Sequence, residues 1–142
     1  MQIAIETHGA LTFHEDGSAT HTPTVSTDRE GLTRLLQELP AEVGFNYDPG
    51  NIKAAHPLLD DWHLALLNDR INYCHMKDWR RTEHGWIACA IGDDDLDYSP
   101  ILSRVKFDGV FLIEYEPLAD PQDGIRRSLD YLSSVVDNVV FE

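Results

Sequence analysis

The chain alternates short apolar segments with amphipathic ones, and this alternation constrains its fold more than any other feature. We predict strands at Gln2–Glu6, Val43–Asp48, Ile71–Lys77 and Val110–Glu114, each followed at some distance by a helical pattern. Strands that alternate with helices pair in parallel through right-handed crossovers. The order β-α-β-α-β-α-β-α therefore predicts an α/β fold of four βα units. Such a sheet belongs either to a doubly wound fold or to a barrel.

Capping residues and prolines bound the predicted helices. In chain order these are Ser26 or Thr27 as the first N-cap, Pro40 as the end of that helix, Pro57 as the second start, Ser99 with Pro100 as the start of a short helix through Val105, and Pro121 as the last start. The apolar residues at helical spacing, expected on buried faces, are Leu32, Leu35, Leu36 and Leu39, then Leu58, Leu59, Trp62, Leu66 and Leu67, and finally Ile125, Leu129, Leu132 and Val136. Two long loops are expected, Thr7–Ser26 and Asp78–Asp97.

The alternation within the strands separates two faces of the sheet. The face shared with the strand-end acids is expected to carry the small, polar and apolar residues Gln2, Ala4, Gly44, Asn46, Val110 and Leu112, together with Ile71 and Tyr73. The other face is expected to carry Ile3, Ile5, Val43, Phe45, Phe111 and Ile113. A wholly apolar face suits packing against helices, and a face with small and polar members suits a crowded barrel interior.

Ligand-type residues stand at the ends of the predicted strands. Glu6, Asp48 and Glu114 each end a strand, and His75 lies near the end of another. Sites in parallel α/β folds are built at the carboxyl ends of strands. Each residue alone is more often a solvated loop group, a helix cap or a hydrogen-bonded core histidine. Converging carboxylates repel one another, however, and three oxygens with one imidazole suit Mn²⁺, Mg²⁺ or Co²⁺.

Composition restricts the partners of the chain. Its 25 acidic and 11 basic residues give a net charge of −14, a field that repels nucleic acid and anionic membranes. We find no apolar run of roughly 20 residues and no signal peptide, and the two cysteines are too few for a disulfide framework. These features predict a cytoplasmic protein that binds neither nucleic acid nor membrane. The acidic charge alternatively indicates adaptation to high salt.

Four sequence stretches, IAIETHG, VGFNYDPGN, INYCHMKDW and FLIEYEP, resemble the sugar-phosphate isomerase/epimerase family of the xylose isomerase-like TIM barrels. The tetrad His75-Met76-Lys77-Asp78 is the most specific of the matching motifs, and GDDDLDYSPIL resembles the family segment before the last strand. The resemblance covers residues 1–142 as a single half-barrel domain equivalent to strands five to eight of the family barrel. It implies that Glu6, Asp48, His75 and Glu114 hold one divalent metal ion, for which Mn²⁺ is expected and Mg²⁺, Co²⁺ or Zn²⁺ are alternatives.

The resemblance also implies a reaction. Family enzymes move a proton at a carbon next to a carbonyl, so an isomerase, epimerase or related lyase acting on a small sugar or polyol is expected. Glu6 and Glu114 would then be the catalytic residues. His8, Lys77 and Arg80 are expected to bind substrate, although solvation explains His8 and Arg80 as well, and a salt bridge to Asp78 explains Lys77 as well. Trp79 and Trp86 suit either a sugar pocket or the packing of their loop.

The length of the chain supports a competing hypothesis. A half barrel with no further strands would be a non-catalytic remnant, or one part of a split enzyme that needs a partner chain. The first and last strands would leave backbone groups unpaired, and the inner face would lie open. We therefore expect a homodimer or a pairing with a complementary half-barrel chain.

Overall fold

The computed structural model describes residues 2–94, 96–117 and 119–136. Within these residues the strands are β1 (Ile3–Glu6), β2 (Ala10–Phe13), β3 (Ala19–Thr22), β4 (Val43–Tyr47), β5 (Ile71–Met76), β6 (Asp78–Arg81), β7 (Trp86–Cys89) and β8 (Phe111–Ile113). The helices in the same residues are α1 (Arg29–Glu38), α2 (Pro49–Ala55), α3 (Leu64–Leu67), α4 (Ser99–Leu102) and α5 (Pro121–Val135).

A parallel sheet of four strands, in the order β1-β4-β5-β8, forms the centre of the fold. This confirms the predicted α/β class and corresponds to half of a TIM barrel, which has eight parallel strands. The face away from the strand-end acids packs against the helices, and its side chains Phe45 and Tyr47 are fully buried. Burial of side chains of this size stabilises the fold by about 1.5–3 kcal/mol each.

A β-bulge in β5 sets which residues face inward. Phe45 pairs with Ile71, but the next residue, Asn46, pairs with Tyr73, so Asn72 is an extra residue on β5. The prediction that Ile71 faces the inner side is therefore wrong. Ile71 packs beside Phe45 in the main core.

The strands at both edges of the parallel sheet expose apolar side chains, and only at the β1 edge does this differ from the prediction. Ile3, expected to be covered by helices, is 50% exposed on β1. At the other edge, Val110 and Leu112 are 66% and 44% exposed. The described residues place no further strand beside β1 or β8, so the backbone at both edges lacks ladder partners there.

The two predicted loops contain a second sheet. β2, β3, β7 and β6 pair in antiparallel fashion, in that order. β3 and β6 consist largely of polar residues, and none of the four strands contains a run of β-branched apolar residues, so the sequence patterns did not indicate them. Trp79 and Trp86 are buried in a small core with Ala54 of α2, so both indoles pack this sheet onto the helix.

The helix after β4 begins earlier than predicted. α2 starts at Pro49, and the Asp48 side chain caps it by accepting a hydrogen bond from the Asn51 N–H. No helix starts at Pro57, and Leu58, predicted to be buried, is 97% exposed. The buried leucines of this segment are Leu64 and Leu67 on the single turn of α3.

The remaining helices agree with the predictions more closely. Asp28, rather than Ser26 or Thr27, caps α1 through the Glu30 and Gly31 N–H groups. α4 ends at Leu102 instead of Val105. α5 buries Gly124, Ser128 and Leu132, whereas Ile125, predicted on the buried face, is 40% exposed. None of the helices in the described segments is long and apolar enough to cross a membrane.

His21 on β3 is buried against the edge of the Trp79 ring, at 4.4 Å between ring centroids. Its burial, with the nearby His8 and Lys77, lowers the pKa of the His21 imidazole to about 4 from 6.5. Between these pH values the unfolded chain binds a proton that the folded chain does not. The contribution of the neutral His21 imidazole to the free energy of unfolding is therefore fully present above pH 6.5 and is lost as the pH falls towards 4.

We expect His21→Phe to remove this acid sensitivity. The difference in free energy of unfolding between wild type and variant should change by about 2–3 kcal/mol between pH 7 and pH 4. Urea titrations across this range measure it. His14→Phe, at an exposed histidine, is the control for the general effect of replacing an imidazole by a phenyl ring. If the free energies of unfolding of wild type and His21→Phe change with pH by the same amount, the interpretation of His21 as a buried neutral imidazole is wrong.

Candidate metal centre

Four side chains from the four strands of the parallel sheet converge at its carboxyl end. One ligand-type atom from each of Glu6, Asp48, His75 and Glu114 lies within 4.8 Å of the others. Ligands on opposite sides of a divalent ion at about 2.1 Å would stand about 4.2 Å apart, so the spacing fits one ion. The structure thus brings together all four residues that the sequence predicted as ligands.

His75 is central to this cluster. Its Nδ1 atom lies 3.3 Å from Glu6 Oε1 and 3.0 Å from Glu114 Oε2. Glu114 reaches this position because its N–H donates to the Met76 carbonyl, which continues the ladder between β5 and β8. The side chains of Glu6 and Glu114 are 36% and 33% exposed, so the cluster remains accessible from the open side of the sheet.

Asp48 is the buried member of the cluster, with a fully buried carboxylate. Burial raises the pKa of Asp48 to about 7, and the neighbouring Glu114 and Glu6 add to the rise, against the effects of Lys77 and the Asn51 N–H. One Asp48 oxygen accepts from the Asn51 N–H and the other from the Asn51 side-chain amide. A carboxylate held so firmly, next to two others, is an arrangement that a divalent cation would stabilise.

Two polar residues that the sequence analysis did not single out fix Asp48 in place. The fully buried Thr7 hydroxyl accepts a hydrogen bond from the Asp48 N–H at 2.8 Å, and the Thr7 N–H donates to the Asn46 carbonyl. Asn51, besides its contacts to Asp48, accepts a hydrogen bond from the Trp79 indole. Their positions directly after Glu6 and within the Asp-Pro-Gly-Asn turn are the sequence signals that could have identified them.

Lys77 places a buried positive charge beside the acids. Its ammonium lies 2.9 Å from Glu114, 3.2 Å from Glu116 and 3.9 Å from Asp48. Burial favours a lower pKa for Lys77, but the surrounding carboxylates outweigh it and raise the pKa. Lys77 is therefore charged at neutral pH. Glu116 is a carboxylate that the sequence analysis missed, although it stands two residues after Glu114.

Asp78 does not pair with Lys77. Its carboxylate accepts from the Trp79 and Gly92 N–H groups and lies 3.4 Å from the Lys53 ammonium. Burial raises the pKa of Asp78 to about 6, although Lys53 opposes the rise. This residue of the tetrad therefore joins the antiparallel sheet to α2.

The other two predicted substrate contacts, His8 and Arg80, are held by residues other than the four candidate ligands. The His8 ring turns to the carbonyl of Gly9, and its backbone is held by Thr24 and Ser26. Arg80 is exposed on β6, opposite Ile87 on β7. In the part of the chain that the structure describes, neither side chain forms an ion pair or hydrogen bond with the four candidate ligands.

The family model described as Xylose isomerase-like TIM barrel matches residues 1–135. The chain belongs to the xylose isomerase-like TIM barrel family. Two solved structures share the fold of this family member. One is a xylose isomerase domain protein from Planctomyces limnophilus, with 15% sequence identity and a TM-score of 0.69. The other is the IOLI protein with a binding zinc atom, with 16% identity and a TM-score of 0.60.

The chain of this family member spans about half the length of both solved structures. The alignments cover 95% of it, but 46% of the Planctomyces limnophilus protein and 49% of the IOLI protein. No curated protein sequence matches the chain. At these identities the structural likeness shows the fold alone.

Proposed function

We propose that the chain forms the metal-binding half of an isomerase or epimerase of the sugar-phosphate isomerase/epimerase type. Its substrate would be a small sugar or polyol, and its reaction a proton transfer next to a carbonyl through an enediolate. The observation that supports this proposal is the convergence of Glu6, Asp48, His75 and Glu114 from four adjacent strands in a xylose isomerase-like fold.

Glu6, Asp48, His75 and Glu114 would hold one divalent ion, which would supply electrostatic stabilisation of the enediolate charge. The donor set of three carboxylates and one imidazole favours Mn²⁺, with Mg²⁺ or Co²⁺ as alternatives. The zinc atom of the IOLI protein keeps Zn²⁺ among the candidates.

The two exposed glutamates are the proposed catalytic residues. Glu6 and Glu114 flank His75 from the two edge strands, and their carboxylates are accessible from the open side of the sheet. A substrate bound there would have one carboxylate on each side, so one glutamate could take the proton and the other return it. The Lys77 ammonium, already beside Glu114, could hold a substrate oxyanion. His8 and Arg80 stay predictions, because the structure gives them no supporting contact.

The proposed reaction is tested by solvent exchange. Metal-reconstituted protein is incubated in deuterated water with a panel of ketoses and inososes, and label is measured at the carbon next to the carbonyl. Label at that carbon for at least one compound supports the proposal. A panel without label would favour the alternative, a non-catalytic or split half barrel that keeps the metal site but needs a partner chain for activity.

The two open edges of the parallel sheet support a second proposal. The chain would associate with a second copy of itself, or with a complementary half barrel, to close the barrel. Both edge strands lack partners in the described residues, and Ile3, Val110 and Leu112 expose apolar surface. A second copy could pair the last strand of each chain with the first strand of the other.

We expect the purified chain to be at least a homodimer. Light scattering at micromolar concentration should give about twice the 16.1 kDa of one chain. Val110→Lys and Ile3→Lys place charges on the two open edges and should shift the mass towards the monomer. Leu58→Lys is the matched control, since Leu58 is exposed away from the sheet. A wild-type mass near 16.1 kDa would contradict self-association.

A further inference from the structure

Asn46 is a polar residue on the inner face of the parallel sheet, where barrels more often place apolar side chains. It lies on β4 two residues before Asp48, so the two side chains share the inner face. In the register of the sheet it pairs with Glu6 on one side and Tyr73 on the other. Interior barrel positions are dominated by valine, isoleucine and leucine. The Asn46 amide instead lies at the level of Glu6, one of the four candidate ligands, so its polar character calls for an explanation.

The amide oxygen of Asn46 has no partner. The residue is 7% exposed, and no donor from the described residues reaches its Oδ1 atom. Buried polar side-chain atoms are almost always hydrogen-bonded, and an unpaired one destabilises the fold. The missing partner is therefore expected to be a group outside the described residues.

The backbone of Asn46 is fixed, which limits where the amide can point. Its carbonyl accepts a hydrogen bond from the Thr7 N–H at 3.0 Å, and the Thr7 hydroxyl accepts one from the Asp48 N–H. Thr7 thus couples the end of β1 to both Asn46 and Asp48. A shift of the ligand Asp48 relative to Asn46 would break this coupling, so the amide and the ligand keep a constant relation.

We propose that Asn46 is a positioning residue whose amide oxygen accepts a hydrogen bond from an O–H group held on the interior side of the metal centre. The O–H group is water in the resting protein and a hydroxyl of the polyol or sugar when substrate is bound. This inference rests on the proposed metal site. It adds a residue that fixes the open coordination positions, since four protein ligands leave about two of six places free on a Mn²⁺ ion.

The test uses the Mn²⁺-loaded full chain and three variants. Asn46→Leu removes the acceptor and keeps the number and branching of the side-chain heavy atoms, Asn46→Ala removes it without the larger volume of leucine, and Asn46→Asp retains an acceptor. The Mn²⁺ affinity is measured by isothermal titration, the bound exchanging water by proton relaxivity, and binding of xylitol by its displacement of that water.

We expect Asn46→Leu and Asn46→Ala to bind Mn²⁺ within about threefold of wild type, because all four ligands remain. The proton relaxivity of the Mn²⁺-loaded variants should fall by about half, because one of about two exchanging waters on the ion would lose its hydrogen-bond partner. Xylitol should bind about 10-fold more weakly, because one of its hydroxyl groups loses its hydrogen-bond acceptor in a buried site. Asn46→Asp should restore the relaxivity. The metal-free Asn46→Leu protein should melt at the wild-type temperature or above it.

Two results would overturn the inference. Normal Mn²⁺ affinity with unchanged relaxivity and unchanged xylitol binding in both Leu and Ala variants would remove Asn46 from the centre. A lower melting temperature in both apolar variants, with unchanged relaxivity, would indicate a purely structural amide. Failure of the wild type to bind Mn²⁺ is a separate outcome, because it would overturn the metal site itself and this inference with it.

Discussion

His75→Ala is expected to lower the Mn²⁺ affinity of the chain by at least about 100-fold. The imidazole lies 3.3 Å from Glu6 and 3.0 Å from Glu114, so it is the candidate ligand that joins the acids of the two edge strands. Loss of residues behind a metal ligand already lowers affinity by 10–100-fold, and loss of a ligand itself should exceed that range. Its removal also leaves the carboxylates as an unneutralised cluster.

Isothermal titration of wild type and variants with Mn²⁺ measures this effect. Glu114→Gln should also lower the affinity, although less than His75→Ala, because the neutral amide oxygen is a weaker metal ligand than a carboxylate. Glu83→Gln is the matched control, because Glu83 is an exposed acid outside the cluster and its loss should leave the affinity unchanged. Equal affinities in wild type, His75→Ala and Glu114→Gln would remove both residues from the proposed site.

Glu6→Gln is expected to abolish deuterium exchange on one face of any active substrate. The amide of glutamine still offers an oxygen to a metal ion, but it cannot accept a proton from carbon. Mass spectrometry and proton NMR of the recovered sugar measure the label and its stereochemical position. Metal content is measured on the same sample, so that loss of exchange is read only where the ion is retained.

The control for this experiment is Glu15→Gln, which changes an exposed acid on the turn between β2 and β3. It should exchange at the wild-type rate. Full exchange by a metal-loaded Glu6→Gln protein would show that another group removes the proton, and Glu116 would then be the next residue to replace because it contacts Lys77 beside the cluster.

The candidate site was predictable from sequence because strand ends are local features. The acids Glu6, Asp48 and Glu114 each follow an apolar segment, and parallel strands place their carboxyl ends at one edge of the sheet. No knowledge of the helices was needed to expect these side chains to converge. The same reasoning predicted the order of strands and helices around the parallel sheet.

The parts that the sequence analysis missed depend on contacts between distant residues. The extra residue Asn72 in β5, which turns Ile71 outward, has no signature in a period-two pattern. The helix α2 begins at Pro49, because the Asp48 side chain caps it. Asp48 is thus both a candidate ligand and the N-cap. The early start explains why Leu58, assigned to a helix face, is left in an exposed turn.

The antiparallel sheet shows a further limit of sequence patterns. Its four-residue strands are stabilised by packing of Trp79 and Trp86 onto Ala54 and by the contact of Asp78 with Lys53, all of which cross 25 or more positions in the chain. Contacts of this kind cannot be derived from a local window. Thr7 was missed for the same reason, since it contacts Asp48 across 41 positions, whereas Asn51 contacts Asp48 from three positions away and could have been identified as part of the Asp-Pro-Gly-Asn sequence.

Elemental analysis of untagged protein is the most direct test of the proposed divalent metal site. Protein concentration is determined by amino-acid analysis, and metal content is measured before and after reconstitution with Mn²⁺ and removal of unbound ion. We predict about one divalent ion per chain, and markedly less in His75→Ala, because the four-residue cluster offers space for a single ion. Protein that retains no divalent metal after reconstitution would contradict the account.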